Sequence, residues 1–316
     1  MKAFGPIPSR RLGKSLGINN IPPKICSYSC VYCQLGKAII MDTERQFYFD
    51  PDELVSEVKD KIRQVNDAGE TIDYLTFVPD GEPTLDINLG KEIRALKNTG
   101  IKVAVITNSS LLWREDVRED LSAADWVSVK VDSVLPDNWK KTDCPHKTLD
   151  LNKIRKGILD FADIYQGKLV TETMLVKGYN DDPQSILMTA TCLEKVYPDV
   201  AYIGIPTRPP AVPTAEPAGE EAINLAYQEF SRMVPHVELI LGYEGNAFAY
   251  TGNIEEDILS ITAVHPMRRE AVEEMLRKAE LDWSVIDQLI RQEKISEVDF
   301  NGHHFYMRKL KKDLSV

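Results

Sequence analysis

Three of the chain's five cysteines fall within one octet, Cys26-Ser-Tyr-Ser-Cys30-Val-Tyr-Cys33. Thiolates are soft ligands, and three on one short loop can hold a single metal centre while leaving part of its coordination open. A structural zinc site asks for four protein ligands. No histidine stands close in sequence, so Cys144 or His146 would have to complete such a site from afar. An iron–sulfur cluster held by three thiolates instead leaves one iron free for an external ligand. Cys144 and Cys192 are isolated, and Cys192 falls on an apolar helical face that reads as core. The cysteines therefore do not form a disulfide framework, and a bunch of thiols in a reducing compartment reads as metal or redox chemistry.

The elements that must position this loop follow from periodicity. Strands are expected at 15–21, 72–78, 102–107, 126–131, 168–176, 201–205 and 237–241. Helices are expected at 51–66, 88–98, 114–123, 151–165, 183–196 and 219–233. Strand–helix alternation means parallel βαβ units. Six or seven such units suit an α/β fold, a partial (β/α)6-type TIM-like barrel, better than a doubly wound sheet. In such barrels chemistry sits at the carboxyl ends of the strands. The cysteine loop, Gly81-Glu82-Pro83, Thr107-Asn108, Lys130 and Asp132 all follow strand ends and would gather at one mouth.

The strand at 126–131 shows how. Side chains alternate faces along a strand, so Val127, Val129 and Val131 would face outer helices, and Ser128, Lys130 and Asp132 the interior. Three successive inward polar residues are costly unless paired or used. Glu172 is a single charge on the face it shares with Val170 and Met174. Arg10-Arg11, just before the first expected strand, and Arg208, in Pro206-Thr-Arg-Pro-Pro210, are candidates to bind an anionic substrate bidentately.

The chain has 316 residues, 43% of them hydrophobic, which is enough to bury a sizeable core. Its net charge of −11 argues against broad nucleic-acid binding, which needs a basic face. No amino-terminal apolar core of signal-peptide length and no long apolar run is present, so the expected location is cytoplasmic and no membrane partner is expected. After about Asn253 the texture changes. A helix at 265–277, a second at 283–292, and strands at 295–300 and 303–308 joined by Asn301-Gly302 resemble a winged helix. The chain thus divides into residues 1–253 and a small C-terminal domain, 254–316. Arg308-Lys-Leu-Lys-Lys312 is its one basic cluster.

Cys-x3-Cys-x2-Cys with an aromatic residue before the last cysteine resembles the signature of the radical SAM superfamily, carried here by Cys26, Cys30, Tyr32 and Cys33. The resemblance implies a [4Fe–4S] cluster on the three cysteines and S-adenosylmethionine (SAM) on the open iron. It also implies one-electron cleavage of SAM to a 5′-deoxyadenosyl radical that abstracts hydrogen from a substrate. Tyr32 would lie against the adenine. Gly81-Glu82-Pro83 is similar to the family's GGEP element, which binds the methionine amino group, with Asp80 in place of the first glycine. Asn108, Lys130, Asp132 and Glu172 resemble inward polar positions near the cofactor. A ferredoxin or flavodoxin would supply the electron.

The segments 4–13, 33–36 and 174–180 further resemble proteins grouped with the wyosine synthases that modify a tRNA guanine. The chain departs from the archaeal tRNA enzymes in lacking further cluster cysteines and a basic surface. An RNA substrate is expected slightly ahead of a peptide or protein. The competing reading is a zinc- or cluster-stabilised winged-helix DNA-binding redox regulator, with no radical chemistry.

Overall fold

The computed structural model describes residues 2–309. The chain opens with an antiparallel hairpin of β1 (Ala3–Ser9) and β2 (Gly13–Ile18). Two short parallel strands, β3 (Ile25–Cys26) and β4 (Ile40–Met41), then bracket Cys30 and Cys33. Next come α1 (Pro51–Asp67), β5 (Tyr74–Phe77), α2 (Leu89–Lys97), β6 (Lys102–Thr107), α3 (Glu115–Leu121) and β7 (Trp126–Lys130). They are followed by α4 (Pro136–Asp143), α5 (Leu151–Ile164), β8 (Lys168–Met174), α6 (Pro183–Val196), β9 (Val200–Gly204), α7 (Glu220–Met233) and β10 (Val237–Ile240). The main sheet runs β1-β2-β5-β6-β7-β8-β9-β10. Every pair from β2 to β10 is parallel. β1 and β10 are its two edges, so the curled sheet is an open, partial β/α barrel.

The helices are set by their ends. Asp50, Asp150 and Asp182 cap α1, α5 and α6 through backbone N–H groups, and Pro51 and Pro183 occupy first-turn positions where no donor is lost. Their apolar stripes pack on the outer face of the sheet, where Val127, Val129 and Val131 join the main core, as alternation requires. A smaller core fills the barrel interior from Leu12, Ala104, Trp126, Val170, Tyr202 and Ile240. Apolar side chains thus plug much of the barrel interior, with Ser15, Thr76 and Ser128 buried within the strands, while Glu82, Asn108 and Lys130 lie at or beyond the carboxyl ends.

Residues 248–306 build a second core. It is formed by α8 (Ile254–Thr262), β11 (Met267–Arg268), α9 (Arg269–Lys278), α10 (Ser284–Arg291), β12 (Ile295–Phe300) and β13 (His303–Arg308), with sheet order β11-β13-β12. This core is fastened to the barrel. Lys61 on α1 makes a buried ion pair with Asp257 at 3.2 Å and donates to Thr251 Oγ1 at 2.9 Å, and Ile7 of β1 packs against the second core.

Several elements depart from expectation. β1 was not anticipated because Gly5, Pro6 and Pro8 disfavour a strand; as an edge strand it can lack those donors. The helix expected from 265 starts at Arg269, because Met267 and Arg268 extend to pair with Tyr306 and Phe305. α4 and α8 are short helices whose patterns were too brief to read. The basic cluster Arg308–Lys312 lies partly outside the described residues. Among the described residues no helix is long and apolar enough to cross a membrane.

Candidate active site

One large cavity of about 340 Å³ opens at the carboxyl ends of the strands, a volume typical of small-molecule sites. Cys26, Cys30 and Cys33 line it together with Tyr32, Gly81, Glu82, Asn108, Lys130 and Glu172. Arg10, Arg11 and Arg208 line it as well. Twelve residues singled out from the sequence therefore meet in one space. Pro83 and Asp132 do not reach it. Pro83 starts a buried single turn after Glu82, and Asp132 lines a smaller recess behind Tyr32.

The cysteine loop is held from three sides. Lys24, just before it, donates its backbone N–H to the Asp80 carbonyl at 2.6 Å, and its ammonium pairs with the Asp80 carboxylate at 3.1 Å and donates to the Leu35 carbonyl. This clasp gives a local reason for Asp80: it is the counter-ion of Lys24. On the second side, Gly81 bridges Ile25, and the Glu82 N–H donates to the Ile25 carbonyl at 3.1 Å. A Cβ at Gly81 would stand 2.0 Å from that carbonyl oxygen, so only glycine permits the approach. On the third side, segment 142–146 straps the loop. The Val31 N–H donates to Thr142 O at 2.9 Å, the His146 N–H to Ser27 O at 2.9 Å, and Cys30 Sγ lies 3.6 Å from Asp143 Oδ1. Asp143 was missed from the sequence; the neighbouring Cys144-Pro145-His146 was its only signal. Neither Cys144 nor His146 lines the cavity. The Cys144 thiol faces Lys141 O at 3.7 Å, and His146 Nδ1 lies 2.8 Å from Thr148 Oγ1.

Glu82 ties the next two strands together. Its Oε1 accepts from Thr84 N (3.1 Å), Thr84 Oγ1 (2.6 Å) and Thr107 Oγ1 (2.6 Å), and its Oε2 from Asn108 N (2.7 Å). Burial raises its pKa despite these bonds. The amide of Asn108 donates to Ser27 Oγ at 2.9 Å and lies 3.5 Å from Cys26 Sγ. One strand end thus connects the carboxylate to the first thiol. Its Oδ1 also accepts from Ser110 N, the capping role its position suggested.

The opposite wall is a buried charge network. Lys130 and Glu172 are register partners across β7 and β8. Lys130 Nζ sits 4.6 Å above the Tyr32 ring and 3.3 Å from its hydroxyl, which donates to Asp132. Asp132 also accepts from the Met174 N–H at 2.7 Å. Arg11 pairs with Glu172, whose pKa is held down by Arg11 and Lys130 against the opposing effect of its burial. Burial pushes all three thiols upward, aided at Cys26 by Glu82 and at Cys30 by Asp143 and Asp132. At Cys33, Lys24 and Lys130 oppose that rise. Ligation by a metal centre would displace those thiol protons.

The donor set fits a thiolate-held cluster with an external ligand. Three thiols open into one cavity, and the glycine approach and the Glu82–Asn108 bridge tie their loop to the ends of β5 and β6. Comparison with known proteins agrees. Residues 20–189 match the model of the radical SAM superfamily. The UPF0026 protein MJ1312 of Methanocaldococcus jannaschii is 45% identical over 311 residues, covering 98% of this chain and 96% of that one. Streptococcus suis SuiB bound to the precursor peptide SuiA shares the fold at a TM-score of 0.51 and 12% identity, over 69% of this chain and 47% of that one. A structure of TYW1 with a lysine–pyruvate adduct bound is similar at a TM-score of 0.46 and 14% identity, over 92% of this chain and 79% of that one. With its three-cysteine loop, its open barrel and a family match over more than half its length, this chain belongs to the radical SAM superfamily, whose members use a [4Fe–4S] cluster and S-adenosylmethionine.

Proposed function

We propose that Cys26, Cys30 and Cys33 hold the [4Fe–4S] cluster and that SAM lies between Glu82 and Lys130, so that the chain generates a radical for hydrogen abstraction. When bound, the reduced cluster supplies the electron that splits SAM into methionine and a 5′-deoxyadenosyl radical, which takes a hydrogen atom from the substrate. The protein's residues bind, orient and exclude water. Oε2 of Glu82 has a lone pair left after Asn108 and accepts from the methionine ammonium; Gly81 and Pro83 fix the turn that presents it. Tyr32 lies against the adenine, with Asp132 holding its hydroxyl. Lys130 and Glu172 meet the polar end of the cofactor. A ferredoxin- or flavodoxin-type protein is the electron donor. The observation that carries this reading is the joint opening of three thiols and Glu82 into one cavity, bridged by Asn108. Electron paramagnetic resonance tests it: adding SAM to the reduced, reconstituted protein should change the cluster spectrum. A spectrum indifferent to SAM would contradict it.

We read residues 254–316 as a winged-helix-like domain following a barrel of residues 1–253. The helix that would enter a DNA groove, α10, exposes Ser284, Asp287, Gln288 and Arg291 rather than a basic face. In the hairpin, His304 pairs with Glu297 and Asp299. A surface without a basic face disfavours the DNA-binding regulator. Arg10 at the cavity, beside an Arg11 already paired with Glu172, supports an anionic substrate, which keeps RNA modification ahead of peptide modification.

A further inference from the structure

One wall of the cavity is built by both parts of the chain. Arg208, from the loop after β9, is buried there. Its Nη1 donates to Gln34 Oε1 at 2.7 Å, beside Cys33, and its Nη2 pairs with Glu244. His265, just after α8, is buried and neutral, and its Nε2 lies 2.6 Å from Glu244 Oε1 and 3.3 Å from Arg208 Nη2. Two buried atoms of this knot have no hydrogen-bond partner among the described residues: Arg208 Nε and Glu244 Oε2. Arg10, on the hairpin turn, lines the same cavity and makes no hydrogen bond or ion pair among the described residues, whereas Arg11 beside it is spent on Glu172. Three guanidinium groups crowd this end in a chain of net charge −11. Burial, Arg10 and Arg11 push Arg208 down to about 9. Glu172 and Glu244 neutralise Arg11 and Arg208, so Arg10 is left as the guanidinium without an anion among the described residues.

The geometry points to an anion subsite completed by the C-terminal part of the chain: a substrate carboxylate or phosphate pairs with Arg10, and a hydroxyl or amine on the same substrate donates to Glu244 Oε2. This rests on the proposed function, since it seats the substrate in the cavity that Cys30 lines. A planar guanidinium with all its donors free matches either oxyanion bidentately. The orphaned carboxylate oxygen accounts for the second contact, because a buried acceptor without a donor is costly. Glu244 and His265 then act as specificity-determining walls, and the docked C-terminal part is a wall of the site rather than a detached reader.

Inorganic phosphate is the probe. The reconstituted full chain with SAM bound is titrated calorimetrically with phosphate. Wild type is expected to bind, and Arg10→Gln to bind about tenfold or more weakly. Arg10 is exposed and unpaired, so that variant folds. Glu244→Gln removes the carboxylate facing the anion and should tighten phosphate several-fold. A short single-stranded RNA that displaces phosphate assigns the anion to a nucleic acid; failure to displace it assigns the anion to a small molecule. Equal affinity in wild type and Arg10→Gln, or no binding by wild type, overturns the subsite. A protein whose cluster still responds to SAM while ignoring Arg10 sinks this inference alone; one with no response to SAM sinks the proposed function.

Discussion

The two ends of the cavity are built on opposite terms. At the cysteine end the charged groups are committed within the protein, Glu82 to four donors and Lys24 to Asp80, with Asn108 bonded to Ser27 and Ser110; the atoms left without a hydrogen-bond partner there, among them Ser109 Oγ and Thr142 Oγ1, are mostly hydroxyls. At the arginine end, Arg10 is free and one atom each of Arg208 and Glu244 is orphaned. The first end is stiff before any ligand arrives, which suits a cofactor common to a whole superfamily. The second keeps unsatisfied valences for a ligand particular to this chain. A scaffold can hold its shared chemistry rigidly and vary its substrate by changing only the far wall.

The largest expected break of this contrast is Cys30→Ala. Two thiolates cannot hold the cluster, so cluster iron measured after anaerobic reconstitution should fall to background. Retention of full iron would mean the loop is not the ligand set. Glu82→Gln comes next. The amide keeps the shape but loses the charge, so SAM should bind about 10- to 100-fold more weakly by equilibrium dialysis. Unchanged affinity would return Glu82 to the purely structural role its four bonds also allow.

A matched pair then sharpens the comparison. Arg11→Ala leaves Glu172 buried with only Lys130 for charge, which should cost about 2–4 kcal/mol in denaturant unfolding. Arg10→Ala removes an exposed, unpartnered side chain and should stay within about 0.5 kcal/mol. Equal losses would mean the two arginines share one structural task.

A further effect lies away from both ends. Glu92 is fully buried on α2, and burial and Asp86 push its pKa up to about 9. A carboxyl that ionises later folded than unfolded holds its proton in the native state, so stability falls as pH rises from the unfolded pKa towards 9. Glu92→Gln should therefore stabilise by on the order of 1–3 kcal/mol at pH 8, and the gain should vanish near pH 4. A gain independent of pH would contradict the assignment.

Much of the cysteine end was legible because its signals are local. The octet spans eight positions, Glu82 ends a strand, and the alternation through 126–131 separated the valines from Ser128 and Lys130 as found. What could not be read were contacts between distant segments. Nothing in the periodicity of either partner joins Lys24 to Asp80, Thr142 to Val31, or Arg208 to Gln34, Glu244 and His265. Asp132 shows the limit of face counting: it lies past the end of β7, where the chain turns and sends the carboxylate behind Tyr32 instead of into the cavity.

The most direct test of the account is product release. Wild-type protein, reconstituted anaerobically, mixed with SAM and a strong one-electron reductant, should release 5′-deoxyadenosine, detected chromatographically, while Cys30→Ala should release none above the protein-free blank. Release at the same low level from both proteins would contradict the assignment of this cavity to radical chemistry.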